Sequence, residues 1–223
     1  MTSPIQPTQA EKSAADRAQT FLDWTKVNST ALSIGAAVIV VAAIGFWFYG
    51  RNQQIKETNA QRALLNAKQS LTSNNLQLAQ TDLKAVYDRY GSTEAGVEAA
   101  MLLAQLSYDA GKPQDGISML EKAAGSGAAS RVEPTIRSLQ GDGYAQMGKL
   151  GEAAKQYQAA AAATPFALEK AYFQAKAARA FQAAGDTAQA RQLWTALAED
   201  PTSSAVSEAR VRLGELTAAP AKP

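Results

Sequence analysis

The most apolar stretch of the chain lies near its beginning, where VNSTALSIGAAVIVVAAIGFWFYG over 27–50 contains no ionisable side chain. A helix rises about 1.5 Å per residue, so the core of this stretch spans roughly 30 Å, the thickness of bilayer hydrocarbon. Trp24 precedes it, and Trp47 and Tyr49 lie at its far end, where membrane helices carry interfacial aromatic residues. The pattern predicts an uncleaved transmembrane helix over 27–50.

A cleaved signal peptide and a buried helix are the alternatives for this stretch. A signal peptide has an apolar region of about 7–15 residues followed by small residues, whereas this stretch is longer and ends in Phe46–Tyr49. The buried helix of a soluble domain is the weaker alternative, because about twenty apolar residues without a polar face fit lipid better. The flanking charges leave the orientation open, because three basic residues lie close to each end: Lys12, Arg17 and Lys26 before it, and Arg51, Lys56 and Arg62 after it.

Polar segments flank the predicted anchor. Residues 1–26 are a tail whose proline-containing start is predicted to be disordered and whose remainder is predicted to form an amphipathic helix at a membrane surface. Residues 51–58 are predicted to continue the anchor as a helical stalk. A repeat domain follows over 59–217, and 218–223 are predicted to be a disordered tail.

Beyond Arg51 the chain is rich in Ala, Leu, Gln, Glu and Lys and has no alternating β-branched runs, which predicts helices throughout. Short breaks separate these helices at 73–75, 90–93, 110–114, 125–130, 147–151, 164–167, 183–187 and 199–204. A last helix, from about Ser204 to Thr217, is predicted to cap the open end of the array.

The breaks repeat every 37 residues, at Asn74, Gly111, Gly148 and Gly185. Other sets of equivalent positions, which we call columns, also recur every 37 residues. They hold small residues where two helices cross and large apolar residues one turn further on. The small columns are Ala79, Gly116, Ala153 and Ala190, and Ala67, Ala104, Gly141 and Ala178. The large column is Leu83, Leu120, Tyr157 and Trp194, and three residues beyond it lies the column Val86, Ala123, Ala160 and Leu197. Because one hairpin of helices cannot bury its apolar face alone, the period predicts about four stacked hairpins.

The third hairpin resembles a tetratricopeptide repeat (TPR). The matching positions are Gly141, Tyr144, Gly148, Ala153, Tyr157, Ala160 and Pro165. Arg137 and Gln140 depart from the motif, because they occupy its early Trp and Leu positions. The predicted fold is therefore all-α: one transmembrane helix, then a TPR-like α-solenoid of about four hairpins and a capping helix.

The amino-acid composition excludes several classes of function. The chain has no Cys and no His, which excludes Ser-His-Asp and Cys-His catalysis and thiolate metal sites. Its formal net charge of +2, from 22 basic and 20 acidic residues, does not indicate a nucleic-acid binder. We expect no enzyme, no cofactor and no metal.

Asp82, Asp88, Glu94 and Glu98 lie among basic residues and are predicted to form surface charge pairs. The GSG at 125–127 is predicted to be a turn without phosphate, since no strand precedes it.

The layout resembles the ancillary subunits of the bacterial Sec translocon. The resemblance is carried by Phe21–Trp24, the aromatic GFWFYG end of the anchor, the NQQIKETNAQRA stalk and the run EAAMLLAQLSYDAGKPQDGISMLEKAA. It implies a single-pass inner-membrane protein with a cytoplasmic N-terminus and periplasmic repeats. It also implies partners: the translocon through the anchor, and periplasmic chaperones or exported polypeptides through the repeats.

In arrays of this kind the first helix of each hairpin, helix A, lines the concave face. The repeat register places eight candidate protein-binding residues there: Gln61, Lys68, Met101, Gln105, Tyr108, Asp142, Tyr172 and Arg179. This mixed surface suits extended polypeptide. The sequence thus predicts a membrane-anchored protein-binding scaffold, an accessory to the Sec translocon that links export to periplasmic chaperones. The alternative is a structural subunit of another bacterial membrane complex, serving the envelope, cell division or energy conversion.

Overall fold

The computed structural model describes residues 29–218, except the side chains at 29, 31, 32, 35 and 36. The chain divides into two compact bodies, Met1–Ile55 and Lys56–Pro223, and each is considered by itself. The predicted tail at 1–26 with Trp24, the first two residues of the predicted anchor, and residues 219–223 lie outside the described residues.

The described residues form nine α-helices and one 3₁₀ helix, with no strand among them. The predicted all-α repeat architecture is confirmed, and each predicted break falls where one helix ends and the next begins. The helices are α1 Ser29–Thr72, α2 Leu76–Tyr90, α3 Glu94–Asp109, α4 Pro113–Ala124, the 3₁₀ helix Gly127–Val132, α5 Glu133–Gln146, α6 Leu150–Ala163, α7 Ala167–Ala183, α8 Thr187–Glu199 and α9 Val206–Ala218.

The same type of turn connects the two helices of each hairpin, and the four turns lie 37 residues apart. Asn74, Gly111, Gly148 and Gly185 have φ of 56°, 72°, 73° and 84°, the left-handed region that favours Gly and Asn. In each turn the following N–H donates to a carbonyl five residues earlier, as Lys112 does to Ser107 at 2.8 Å and Lys149 to Tyr144 at 2.9 Å. This is the hydrogen bond of a Schellman motif, so the period is a repeat of one helix-terminating structure.

The core of the repeat domain is continuous from one hairpin to the next. Three apolar clusters overlap along the sequence: one joins hairpins 1 and 2, one joins hairpins 2 and 3, and one joins hairpins 3 and 4 with α9. All sixteen residues of the four columns are buried. Of the other residues placed in the repeat core, Tyr144 is half-buried and packs against two of the clusters. Helix α9 covers the last hairpin through Ala209 and Leu213, as a capping helix does.

The first body is described from residue 29 to 55, all of it within α1. Its large apolar side chains from Ile34 to Tyr49 are 52–80% exposed, and they include Trp47 and Tyr49. Among the described residues no helix is long and apolar enough to cross a membrane, so the transmembrane helix expected over 27–50 is not found there.

Candidate functional site: the A-helix face

The first helices of the four hairpins, α1 from Lys56 onward, α3, α5 and α7, carry the predicted protein-binding residues. We call this surface the A-helix face. Of the eight residues, four are exposed (Gln61, Gln105, Tyr172 and Arg179) and three are half-buried (Lys68, Met101 and Asp142).

Tyr108 is the exception, since it lies in the core and not on the A-helix face. Its ring fills a space that two glycines leave open: a Cβ at Gly116 would meet Tyr108 Cδ1 at 2.9 Å, and a Cβ at Gly143 would meet Tyr108 Oη at 2.7 Å. The Tyr108 hydroxyl donates to the Leu139 carbonyl at 2.9 Å. The repeat register predicted Tyr108 to lie on the surface. A register gives the position of a residue on its helix, but it does not show that an aromatic side chain there turns into the core.

Ion pairs connect neighbouring hairpins, or the last hairpin and the capping helix, across the face, and two of them involve the predicted residues Lys68 and Arg179. Lys68 of α1 pairs with Glu98 of α3, and Arg179 of α7 pairs with Glu208 of α9. The hydrogen bond from Arg179 lowers the pKa of the Glu208 carboxyl below its usual range. The charges of the face are therefore largely neutralised by each other.

Three of the four acidic residues singled out in the sequence, Asp88, Glu94 and Glu98, form ion pairs, and Asp82 does not. Lys84 Nζ lies 2.7 Å from Asp88 Oδ2, and Arg131 Nη1 lies 2.6 Å from Glu94 Oε1. Asp82 accepts a hydrogen bond from Ser70 Oγ at 3.0 Å. Within residues 29–218 no group of three His, Cys, Asp or Glu side chains is placed to hold a metal ion.

The most enclosed charge on the face is Lys176, which the sequence analysis did not select. Its side chain is 16% exposed and its Nζ lies 2.7 Å from Asp142 Oδ1 and 3.1 Å from Ser138 Oγ. The ammonium also lies over two rings, 4.5 Å from the centroid of Tyr157 and 5.7 Å from that of Tyr172. Such stacking on aromatic faces stabilises a cation that is partly withdrawn from water.

A signal for Lys176 was present in the sequence. Three leucines, Leu65, Leu102 and Leu139, occupy the same column in the first three hairpins, and Lys176 replaces them in the fourth. A charged residue in an apolar column needs a partner. Asp142, one hairpin earlier, supplies it.

Both buried tyrosines beside this cluster have raised pKa values. Burial is the largest cause for Tyr157, whose pKa is raised further because its hydroxyl donates to Asp142 Oδ1 at 2.6 Å. Burial also raises the pKa of Tyr108, followed by the nearby negative charge of Asp142. In both cases the neutral hydroxyl is the form that the folded protein keeps.

Alkaline pH is therefore expected to destabilise the repeat domain through these two residues. An unfolded tyrosine loses its proton near pH 10 while the folded one retains it, so this contribution is complete below about pH 10 and falls as pH rises above it. Above about pH 10 the stability of each variant, Tyr108→Phe or Tyr157→Phe, is expected to fall less steeply than that of wild type, by up to about 1.4 kcal/mol per pH unit. Urea unfolding between pH 9 and 11 measures the slope; equal slopes in wild type and both variants would contradict the assignment.

Large apolar side chains are exposed on two of the A helices, α1 and α7. Leu168, Tyr172 and Lys176 follow each other at four-residue intervals, so they share one side of α7. Leu168 and Tyr172 are 68% and 53% exposed, and Leu65 of α1 is 63% exposed. The face thus combines apolar contact area with polar groups that already have partners.

Helical hairpins of this period, closed by left-handed turns and stacked on one core, define a TPR-like repeat protein. The tetratricopeptide repeat-like domain family matches residues 22–139 and, in a second register, 60–177. Each match covers more than half of the chain, so the chain belongs to this family. The two registers are offset by 38 residues, about one hairpin, as expected for an array of similar units.

Solved structures show the same fold. A crystal structure described as a Podosopora anserina putative kinesin light chain with nearly identical TPR-like repeats matches with a TM-score of 0.55 and 16% identity. The match covers 72% of this chain and 86% of that one. No curated protein matches the chain. TPR-like repeats are typically non-enzymatic scaffolds that bind protein partners.

Proposed function

We propose that the A-helix face binds extended or partly unfolded polypeptide segments. The observation that carries this proposal is the set of large apolar side chains exposed on helices A: Leu65, Leu168 and Tyr172. Stacked hairpins form an extended surface, and an extended chain can contact several helices at once.

The charges of the face indicate how selective this binding is. Because Lys68, Asp142 and Arg179 are each paired with another side chain of the domain, they offer a partner little free charge. Binding then depends mainly on apolar burial, which is non-directional and tolerates many sequences. We therefore expect modest affinity that changes little with salt concentration, since screening acts on charged contacts.

Matched leucine substitutions test the proposal. The probe is a fluorescently labelled, permanently unfolded polypeptide, and its dissociation constant for the full chain is measured by anisotropy. The Leu65→Ser/Leu168→Ser pair on helices A is expected to weaken binding about 30-fold, since two apolar contacts of roughly 1 kcal/mol each are lost. The control pair, Leu76→Ser/Leu78→Ser on α2, removes leucines that are 53% and 47% exposed on a second helix of a hairpin, and it should bind as wild type does. Equal weakening by both pairs would overturn the assignment to the A-helix face.

We further propose that this scaffold works at the bacterial inner membrane as an accessory of the Sec translocon, with the repeats in the periplasm. Support comes from the apolar sequence over 27–50, the exposed apolar side chains between Ile34 and Tyr49, and the sequence resemblance described above. The polypeptides on the A-helix face would then be newly exported chains or periplasmic chaperones. A bilayer would supply an apolar environment for the exposed apolar side chains of this stretch.

Fractionation and purification in mild detergent test this placement. The proposal predicts that the chain stays with membranes after alkaline carbonate extraction and co-purifies with Sec components and periplasmic chaperones. An export-dependent reporter fused after Pro223 should be active. Release into the soluble fraction would contradict membrane anchoring. Recovery with one unrelated membrane complex at fixed stoichiometry would favour a structural subunit of that complex.

A further inference from the structure

A cleft of about 370 Å³ lies between the end of α4, the 3₁₀ helix and α5. Ala129 and Ile136 supply apolar lining, and Ser126 and Gln140 supply polar lining. Arg137 and two carboxylates, Glu121 and Glu133, also line it. This volume falls within the range of small-ligand and short-peptide sites.

The cleft coincides with the departures of the third hairpin from the TPR motif. Arg137 and Gln140 occupy positions where that motif has Trp and Leu. In the second hairpin the same two columns hold Ala100 and Leu103, both buried apolar residues. At the junction of the second and third hairpins, polar side chains thus line a cleft at two positions that are apolar and buried one hairpin earlier.

Gln140 contributes to the cleft lining a side-chain amide that has no hydrogen-bond partner among the described residues. The residue is only 8% exposed. The amide therefore opens into the cleft, where a ligand that both donates and accepts would complement it. A peptide group does both.

The charges around the cleft select the side chain of that peptide. Glu133 accepts from Arg137, with Arg137 Nη2 2.6 Å from Glu133 Oε1. Glu121 is exposed and forms no ion pair with any described residue. Two carboxylates and one guanidinium leave a net negative lining, which complements a cation.

We propose that this cleft binds a polypeptide segment carrying a lysine or arginine side chain, with a main-chain amide of the segment on Gln140 and the cationic group at Glu121. The apolar lining at Ala129 and Ile136 contacts the aliphatic part of the basic side chain. The site is separate from the A-helix face: at 100° per residue, Gln140 lies about 160° around α5 from Asp142, on its opposite side.

Two matched pentapeptides, acetylated and amidated, test the site: Ala-Ala-Lys-Ala-Ala and Ala-Ala-Glu-Ala-Ala. Each is titrated into ¹⁵N-labelled full chain and followed by NMR. The Lys peptide is expected to shift the side-chain amide signals of Gln140 and the backbone amides of residues 126–130, and to bind at least about fivefold more tightly than the Glu peptide.

Substitutions assign the two contacts. Gln140→Leu restores the apolar residue of the motif and should weaken the binding of both peptides about tenfold. Glu121→Gln, at an exposed position that folding does not depend on, should remove the preference for lysine. The control Gln105→Leu changes a glutamine of the A-helix face and should leave peptide binding unchanged.

Three outcomes would overturn the site: no shifts at Gln140, equal affinity for the two peptides, or full affinity in Gln140→Leu and Glu121→Gln. Shifts confined to Tyr172 and Lys176 would also overturn it while supporting the A-helix face. Loss of cleft binding with intact binding of unfolded polypeptide to the A-helix face would separate this inference from the proposed function.

Discussion

Trp194→Ala is expected to lower the free energy of unfolding of the repeat domain by about 3–5 kcal/mol. Trp194 is fully buried on α8, in the cluster that joins hairpins 3 and 4 with the capping helix. Its Nε1–H donates to Gln182 Oε1 at 3.3 Å, so the substitution leaves both a large cavity and an acceptor without its partner.

Urea unfolding followed by far-UV circular dichroism measures this loss, and hydrogen exchange locates it. Because a repeat array is stabilised by contacts between neighbours, faster exchange should be confined to α7, α8 and α9 and their neighbour α6. The control is Trp47→Ala, which removes an exposed tryptophan and should change stability by less than about 0.5 kcal/mol. A loss below about 1 kcal/mol in Trp194→Ala would show that this residue does not hold the last hairpins together.

Gly96→Ala is expected to cost roughly 3 kcal/mol although it adds a single methyl group. Gly96 lies in the first turn of α3, where its N–H donates to Thr93 Oγ1 at 3.1 Å. A Cβ there would lie 2.8 Å from the Cα of Gly91 and closer still to the carbonyl group of Tyr90. Both obstacles are backbone, which cannot rotate away as a side chain can, so the turn between α2 and α3 would have to move.

Gly151→Ala is the matched control for Gly96→Ala. Gly151 is also in the first turn of a helix, α6, but a Cβ there meets nothing within 4 Å. Alanine has the higher helix propensity, so this variant should be unchanged or gain up to about 1 kcal/mol. Equal stability of the two alanine variants, by urea unfolding, would contradict the close approach at Gly96.

The helical architecture was predictable because one structural element repeats at one period. The left-handed turn requires Gly or Asn, and Asn74, Gly111, Gly148 and Gly185 supply them 37 residues apart. The small and large columns then follow from how two helices cross. These features depend on residues that are close together in the sequence, so their repetition at a fixed spacing makes them visible in the sequence itself.

The details of the functional surfaces were less predictable, because they depend on contacts between hairpins. Tyr108 turns inward over two glycines from other helices, which the register of its own helix does not show. Lys176 has its partner Asp142 one hairpin away, and only the break in a leucine column marked it. Arg137 and Gln140 were visible as departures from a motif, but the cleft that they line is a property of three elements together.

Site-specific photo-crosslinking tests most directly whether polypeptide lies on the A-helix face. Benzoylphenylalanine replaces Tyr172 on α7 in one variant and Leu78 on α2 in the other, two exposed positions on a first and a second helix of a hairpin. Each full-length variant is irradiated with the same labelled, permanently unfolded polypeptide. Strong crosslinking from position 172 with little from position 78 is the predicted result, and equal crosslinking from both, or none from position 172, would contradict the account.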